Sequence, residues 1–497
     1  MKEPGAQQQR PGAHENSARV LEILRAHGKH ATSFQILEPG YTYWFDEESA
    51  SPGAVVAYVR SGSFRVTAGV PIAAEAGLAG VTSRFLTASE EAGDRVLFFS
   101  ADDEFLQVLR AAPGNRSFDA VPIGLQPEWD PSQYSTEGRN RRSLRAQIAR
   151  ASNKGVTVRR IHSHEVTDAH GGIRHQIEEV LRRWLDGRRM SVMHFLVDLS
   201  PFHAAEERRY YLAEHAGEAV GFLAAIPVYQ RQGWFFEDIV RAPNAPNGTV
   251  ELLVDRAMSD AAEAGESYVT LGLAPLAGIS TEAGEHRRMR QVLHACYRHL
   301  GALYQFTGVH QFKQRFRPDC WRTQYLVQCP PGLGVRGFHA VLRAFAGRGL
   351  LAFGFDTLRR LLGRISTRVW VATFLMLAIL LIPWTVLIAS VDGVYWFGSR
   401  RVQLAWTVFD SLMVGALITL GGMVHRGHRL ARPLSGLLAL ATGTDLVLTT
   451  VQWLQLHHDA NRLFVLAGHL GPLLATCLLV AYAVRTVPHQ SRARREP

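Results

Sequence analysis

A chain of 497 residues and 55.2 kDa is too long for one ordinary core, so two or three domains are expected. Its 54 lysines and arginines against 44 acidic residues leave a formal +10, which excludes an acidic disordered protein and favours an anionic partner, phospholipid or nucleic acid. With 47% hydrophobic and 20% charged residues it is not a disordered chain, and four cysteines without a CxxC pair argue against a disulfide scaffold or a zinc ribbon.

Taken in chain order, residues 1–39 are polar and carry no apolar run behind their charges. They read as a flexible, non-secretory segment with one helix near 18–26, so that the first domain begins in the cytoplasm. Residues 40–150 alternate short β-rich runs (VVAYVR, FRVTAG, RVLFFS) with helical periodicity (SADDEFLQVLRAAP). A basic helix follows, on which Leu144, Ile148 and Ala151 form one stripe. Around it lie Arg139, Arg141, Arg142, Arg145, Arg150 and Lys154, which suit tRNA phosphate, anionic lipid or plain solvent equally. In 151–330 a strand (156–161), a helix (173–185) and a hairpin turning near Gly217 precede the strand WFFEDIVRAP. The helix NGTVELLVDRAMSDAAEAG and the strand SYVTLGLAPL come next. The periodicity supports an α/β fold of one or two domains, and the element order suggests two stacked similar units, 40–150 and 151–330.

Residues 331–368 hold seven arginines against one aspartate, with Leu358, Leu361, Leu362 and Ile365 at helical spacing. They read as a basic amphipathic linker on the inner leaflet. Four apolar stretches then predict four transmembrane helices within 369–497: 369–390, 404–424, 434–456 and 463–484. The arginine-rich segments at 425–433 and after 484 place both termini on the cytoplasmic side. Asp410, Asp445 and His469 fall inside these spans, where ionisable groups are expensive. They serve either a polar pathway or headgroup site, or hydrogen bonding between helices. No metal constellation is legible; His457, His458 and Asp459 adjoin one another but have no partner cluster.

Three blocks carry a resemblance: WFFEDIVRAPNAPNGTVELL, LGLAPLAGI and LYQFTGVHQFKQRFRPDCWRTQYLV. With the basic helix before them, they resemble the phosphatidylglycerol lysyltransferase family, the aminoacyl-phosphatidylglycerol synthases, over roughly residues 40–330. The resemblance implies tandem folds like the GNAT-type N-acetyltransferases, followed here by an all-α membrane region. It further implies transfer of an amino acid from aminoacyl-tRNA to phosphatidylglycerol at the cytoplasmic face of a bacterial inner membrane, with no cofactor. Asp238, Arg241 and Lys313 match catalytic positions, and Asn247 and Gly248 match a helix-opening PNG. Arg139, Arg142, Arg145 and Lys154 fall to substrate binding.

Such a transfer passes through a tetrahedral oxyanion and needs a cation or amides beside it, and a group that holds the incoming ammonium in register. Asp238 suits the ammonium, and Arg241 or Lys313 suits a phosphate or the oxyanion. The bland alternatives are an i,i+3 ion pair between Asp238 and Arg241, a solvated basic face around Lys313, and a plain helix cap at Asn247–Gly248. Two departures stand out. The family's membrane bundle precedes its catalytic part, so lipid translocation is not carried over, and GVPIAAEAG replaces a GDP-type turn in the first half. An acyl-coenzyme A N-acyltransferase of the same fold, or a non-catalytic membrane scaffold, are the other readings. Against the former, VRAPNAPNGTV lacks the amide-rich pyrophosphate loop.

Overall fold

The computed structural model describes residues 13–114, 116–168, 172–187, 195–197, 199–278, 306–347, 349–456 and 462–485. His457–Asp459 and most of the second resembling block's continuation toward Phe306 lie outside them. The chain divides into two compact units, with the border between Phe353 and Gly354.

The first unit is built on one mixed sheet. Its strands are β1 (Thr42–Asp46), β2 (Ala54–Ser61), β3 (Phe64–Ala68), β4 (Arg95–Ala101), β5 (Asp119–Trp129) and β6 (Thr157–Ile161). They continue with β7 (Arg209–His215), β8 (Glu218–Val228), β9 (Gly233–Arg241), β10 (Tyr268–Thr270), β11 (Ala274–Pro275) and β12 (Cys320–Cys329). The spatial order is β1-β2-β3-β4-β12-β5-β10-β9-β8-β7-β6, with β11 on β5. Two similar motifs are visible. In each, an antiparallel meander (β1-β2-β3; β7-β8-β9) leads through a helix (Leu78–Glu91; Thr249–Glu263) to a strand parallel to the last (β4; β10). A helical crossover is what a parallel neighbour requires.

The two halves exchange their closing strands. β5, from the first half, pairs with β10, and β12, from the second, inserts between β4 and β5. The border expected at residue 150 is therefore one in chain order only. β12 is buried on both faces, Leu326 in one core cluster and Val327 in another, which fits a central strand rather than an edge.

Two further expectations are corrected. The helix Ala13–His27 buries Val20, Ile23 and Leu24 completely against β2 and β3 residues, so the segment before residue 40 belongs to the domain from residue 13 on. The first helix of the basic linker, Val335–Ala346, lays Ala340, Val341 and Ala344 into the same core. Its apolar stripe meets protein. Burying even a few such side chains stabilises by about 1–3 kcal/mol each, which outweighs lying loose on a surface. The second helix, Leu350–Gly363, leaves Leu351, Phe355 and Leu358 exposed among its arginines.

The second unit is helical. Three of its helices, Thr367–Ser390, Arg400–His425 and Ala431–Gln455, are long and apolar enough to cross a membrane. The helix of the fourth expected span, Arg462–Val484, is apolar as well, while among the described residues three helices meet the length and composition needed to cross a membrane. Trp370, Phe374, Leu417, Leu420 and Leu479 form the bundle core, while leucines, valines and isoleucines point outward exposed, as helices facing lipid do.

Candidate active site

β9 and β10 run in parallel register only from Gly233↔Tyr268 to Phe235↔Thr270. Beyond that point β9 continues on β8 alone as far as Arg241, while the chain after β10 turns away so that Ala274 and Pro275 pair with β5. The two strands splay, and the opening between them is a place where backbone groups are released from the ladder. Gly272 makes the turn at φ +69, with the Phe235 ring so close that an added Cβ would approach it to 2.5 Å.

Lys313 forms one lip. The helix Phe306–Arg315 carries its side chain into the splay, where Nζ donates to the carbonyl oxygens of Gly272 (2.9 Å) and Leu273 (2.8 Å). The residue is 7% exposed, and burial pushes its ammonium down to about 7. The expected solvated basic face does not exist at this position. Its neighbours differ: Arg315 is half-exposed and pairs with Glu251 at 2.9 Å, and Arg317 donates to the Asn140 carbonyl.

Asp238 lies in β9 beyond that strand's last partner on β10, and it is 6% exposed. A bulge sets Glu237 out of register between Phe236↔Ala225 and Asp238↔Ala224. Next to it lies Arg208, unnoticed in the sequence because a lone arginine at a strand's start carries no pattern. Burial opposes its charge, but the carboxylates of Glu237 and Asp238 outweigh that and hold it above its usual value. Arg208 donates to Glu237 at 2.6 Å and to the His203 carbonyl at 2.9 Å, and Gln35 donates to the other Glu237 oxygen at 2.6 Å. Arg208 thus fixes the bulge on which Asp238 sits.

Asp238 and Arg241 are separated. Strand side chains alternate, so residues three apart face opposite ways. Asp238 shares its face with Val240, against the helix Gly172–Asp186, whereas Arg241 and Ile239 face the helix Thr249–Glu263. The i,i+3 ion pair cannot form.

Arg241 instead lines an open cleft of about 430 Å³ with Arg150, Arg315, Asn247, Gly248 and Gln147. The N-terminus of the helix Thr249–Glu263 opens into it, with the positive end of the helix dipole. Three guanidinium groups gather at one helix N-terminus, Arg315 already paired with Glu251, which also lines the cleft. Arg150 and Arg315 join it from positions that sequence spacing left as generic basic surface. Gly248 is demanded twice over, by φ +97 and because an added Cβ would lie 1.9 Å from the Gln147 carbonyl oxygen. Gly248→Ala is expected to cost about 2–5 kcal/mol and to shift the helix start, measurable as a lowered melting temperature together with weakened anion binding.

Of the other basic positions, Arg139, Arg142 and Lys154 are exposed on or beside the helix Arg142–Asn153. Arg145 is committed to structure, donating to the Thr136 and Gly138 carbonyls. Among the described residues no group of three His, Cys, Asp or Glu side chains could hold a metal ion.

Two strand-exchanged halves of one mixed sheet, the second with a splayed parallel pair, form a tandem GNAT-like fold. Residues 21–328 match the model of the family described as phosphatidylglycerol lysyltransferase, C-terminal. The chain belongs to that family. It is 22% identical over 324 residues to the phosphatidylglycerol lysyltransferase of Staphylococcus haemolyticus, covering 65% of this chain and 37% of that protein. To the Bacillus subtilis protein of the same name it is 25% identical over 249 residues, 50% of this chain and 28% of the relative. The chain thus matches 37% and 28% of these two relatives' length. Among solved structures, L-PGS from Bacillus licheniformis shares the fold with a TM-score of 0.54 at 19% identity, over 69% of this chain and 99% of that one. A C-terminal domain of the lysylphosphatidylglycerol synthetase type from Agrobacterium fabrum does so with 0.55 at 20%, over 66% and 96%.

Proposed function

We propose that this protein moves an amino acid, lysine or a similar one, from aminoacyl-tRNA to phosphatidylglycerol or a related anionic lipid, at the cytoplasmic face of a bacterial inner membrane. The observation that carries this reading is Lys313, a buried amine brought down to about 7 by its burial, whose Nζ is held by two carbonyls where the chain turns away after β10.

The chemistry follows from valence. A neutral Nζ has two N–H groups and one lone pair, and the Gly272 and Leu273 carbonyls take both N–H groups. The lone pair is left to accept the proton of the lipid hydroxyl as its oxygen attacks the ester carbonyl of the donor. The tetrahedral intermediate then breaks its bond to the ribose oxygen, and that oxygen takes the proton back from Lys313. Asp238 holds the α-ammonium of the amino acid. Arg150, Arg241 and Arg315, with the amides after Gly248, take phosphate of the tRNA acceptor end, and Arg139, Arg142 and Lys154 extend that track. The exposed leucines and arginines of Leu350–Gly363 suit a headgroup layer.

Lipid mass spectrometry of cells expressing the chain tests the reaction. A new aminoacylated phospholipid, absent with Lys313→Ala, is the expected result, and its mass names the amino acid. No new amino-containing lipid, with both proteins abundant in membranes, would refute it. For the donor, Arg150→Ala and Arg241→Ala should each weaken tRNA binding and flatten the log affinity–log salt slope by about 0.7–1. An unchanged slope in both removes tRNA from the cleft.

A further inference from the structure

We propose that the helical unit contains a binding site for the ammonium headgroup of a phospholipid, a cavity of about 80 Å³ walled by Trp384, Trp396, Trp406 and Trp453 and floored by Asp410 and Asp445. Every helix of the bundle contributes. Trp384 lies late in Thr367–Ser390, Trp396 in Gly393–Phe397, Trp406 and Asp410 early in Arg400–His425, Asp445 and Trp453 late in Ala431–Leu456, and His469 early in Arg462–Val484. The cavity therefore sits at the end of the bundle away from the arginine-rich loop 425–433.

The walls are built rather than accidental. Trp406 Nε1 donates to Gln452 at 3.0 Å, tying two helices and fixing its ring. Trp453 meets His469 edge-on, with ring centroids 6.3 Å apart. Gly468 admits the Trp384 indole, whose ring carbons lie 3.6 Å and 3.8 Å from where a Cβ would stand. Indole faces attract cations through their quadrupole, by about 2 kcal/mol or more when desolvated.

The floor suits a cation. Asp410 is 5% exposed, and its Oδ2 has no hydrogen-bond partner among the described residues. Asp445 accepts from Thr449 at 3.0 Å. Hydrogen bonding between helices thus does not account for Asp410 Oδ2, and among the described residues the cavity lining contains neither lysine nor arginine. His469 is the one side chain of the described lining that can carry positive charge, and it acts on Asp445; Asp410, buried beside a second carboxylate, is costly to keep charged unless a further cation joins it. The volume takes a compact group of a few heavy atoms and no peptide. Because the bundle's outward face is apolar, such a group arrives on a lipid. This assignment uses only the helical unit and stands apart from the transfer reaction.

Native mass spectrometry of the full chain, offered phosphatidylethanolamine and phosphatidylglycerol of matched acyl chains, is the test. The wild type is expected to retain the ethanolamine lipid about tenfold over the glycerol lipid, and Asp410→Asn to bring the ratio near one. Trp453→Leu, which leaves both carboxylates, should do the same and decides the matter if Asp410→Asn fails to fold. Equal retention of the two lipids by the wild type, or a preference surviving in the folded variants, overturns the proposal. Binding of free ethanolamine without any lipid preference overturns the assignment to a lipid.

Discussion

Lys313→Met is expected to lower aminoacyl transfer by about 10²–10⁴-fold while leaving the domain folded, the range that removal of a positioned general base produces. Methionine keeps the buried stem and removes only the amine. Lys313→Arg should not rescue, because a guanidinium stays charged at any working pH and has no lone pair to offer. The pH profile separates the two roles open to this residue. A base must be neutral, so the rate should rise through about pH 7 and level off above it. A charged oxyanion clamp would give the opposite limb, with activity falling above pH 7.

Stability carries the same signature. Lys313 has its usual value of 10.5 when unfolded and about 7 when folded. Between these the unfolded chain binds more protons, so stability should rise with pH across that window, at up to about 1.4 kcal/mol per pH unit. Below pH 7 both states are protonated and the contribution is constant and unfavourable. Lys313→Met removes the slope, which denaturation of the paired proteins at pH 7 and pH 9 would show.

The second large effect is structural. Arg208→Ala should destabilise the sheet domain by about 3–5 kcal/mol, a drop of roughly 5–15 °C in melting temperature. Its side chain is 1% exposed and that of Glu237 is 7% exposed, so the lost guanidinium strands a buried carboxylate at the bulge. Glu38 at 3.9 Å adds a second one. If the cost is mainly that stranded charge, Arg208→Met combined with Glu237→Gln should recover much of it. Transfer by the double variant would still be impaired, because Asp238 loses the cation and the bulge that position it. Full activity in the double variant would show that Arg208 does not position Asp238.

Candidate residues were legible where chemistry sits in short contiguous words. PNG at the mouth of an amphipathic helix, the EDIVR strand and the HQFKQRF helix, through the resemblance they carry, nominated Asn247, Gly248, Asp238, Arg241 and Lys313. They could not say which of these meet. Asp238 and Arg241 are three apart in a strand, and only the assignment as strand rather than helix, with its bulge, sends them to opposite faces. Arg150 and Arg315 lie far apart in the chain and converge on one helix N-terminus through packing. Lys313 reads as one more cation among arginines until its burial is known.

By itself the amino-acid sequence determined the class of each region, because hydrophobic period and length are local properties: a mixed α/β part, then apolar helices able to span a membrane. Turn and cap chemistry likewise placed the helix starts. Only the tertiary structure decided the strand exchange that fuses the halves, the burial of Ala13–His27 and Val335–Ala346, and the gathering of Asp410, Asp445 and four tryptophans around one cavity. Those outcomes depend on contacts between residues up to hundreds of positions apart. Which partners win is set by the apolar area each arrangement removes from water, and no local pattern records it.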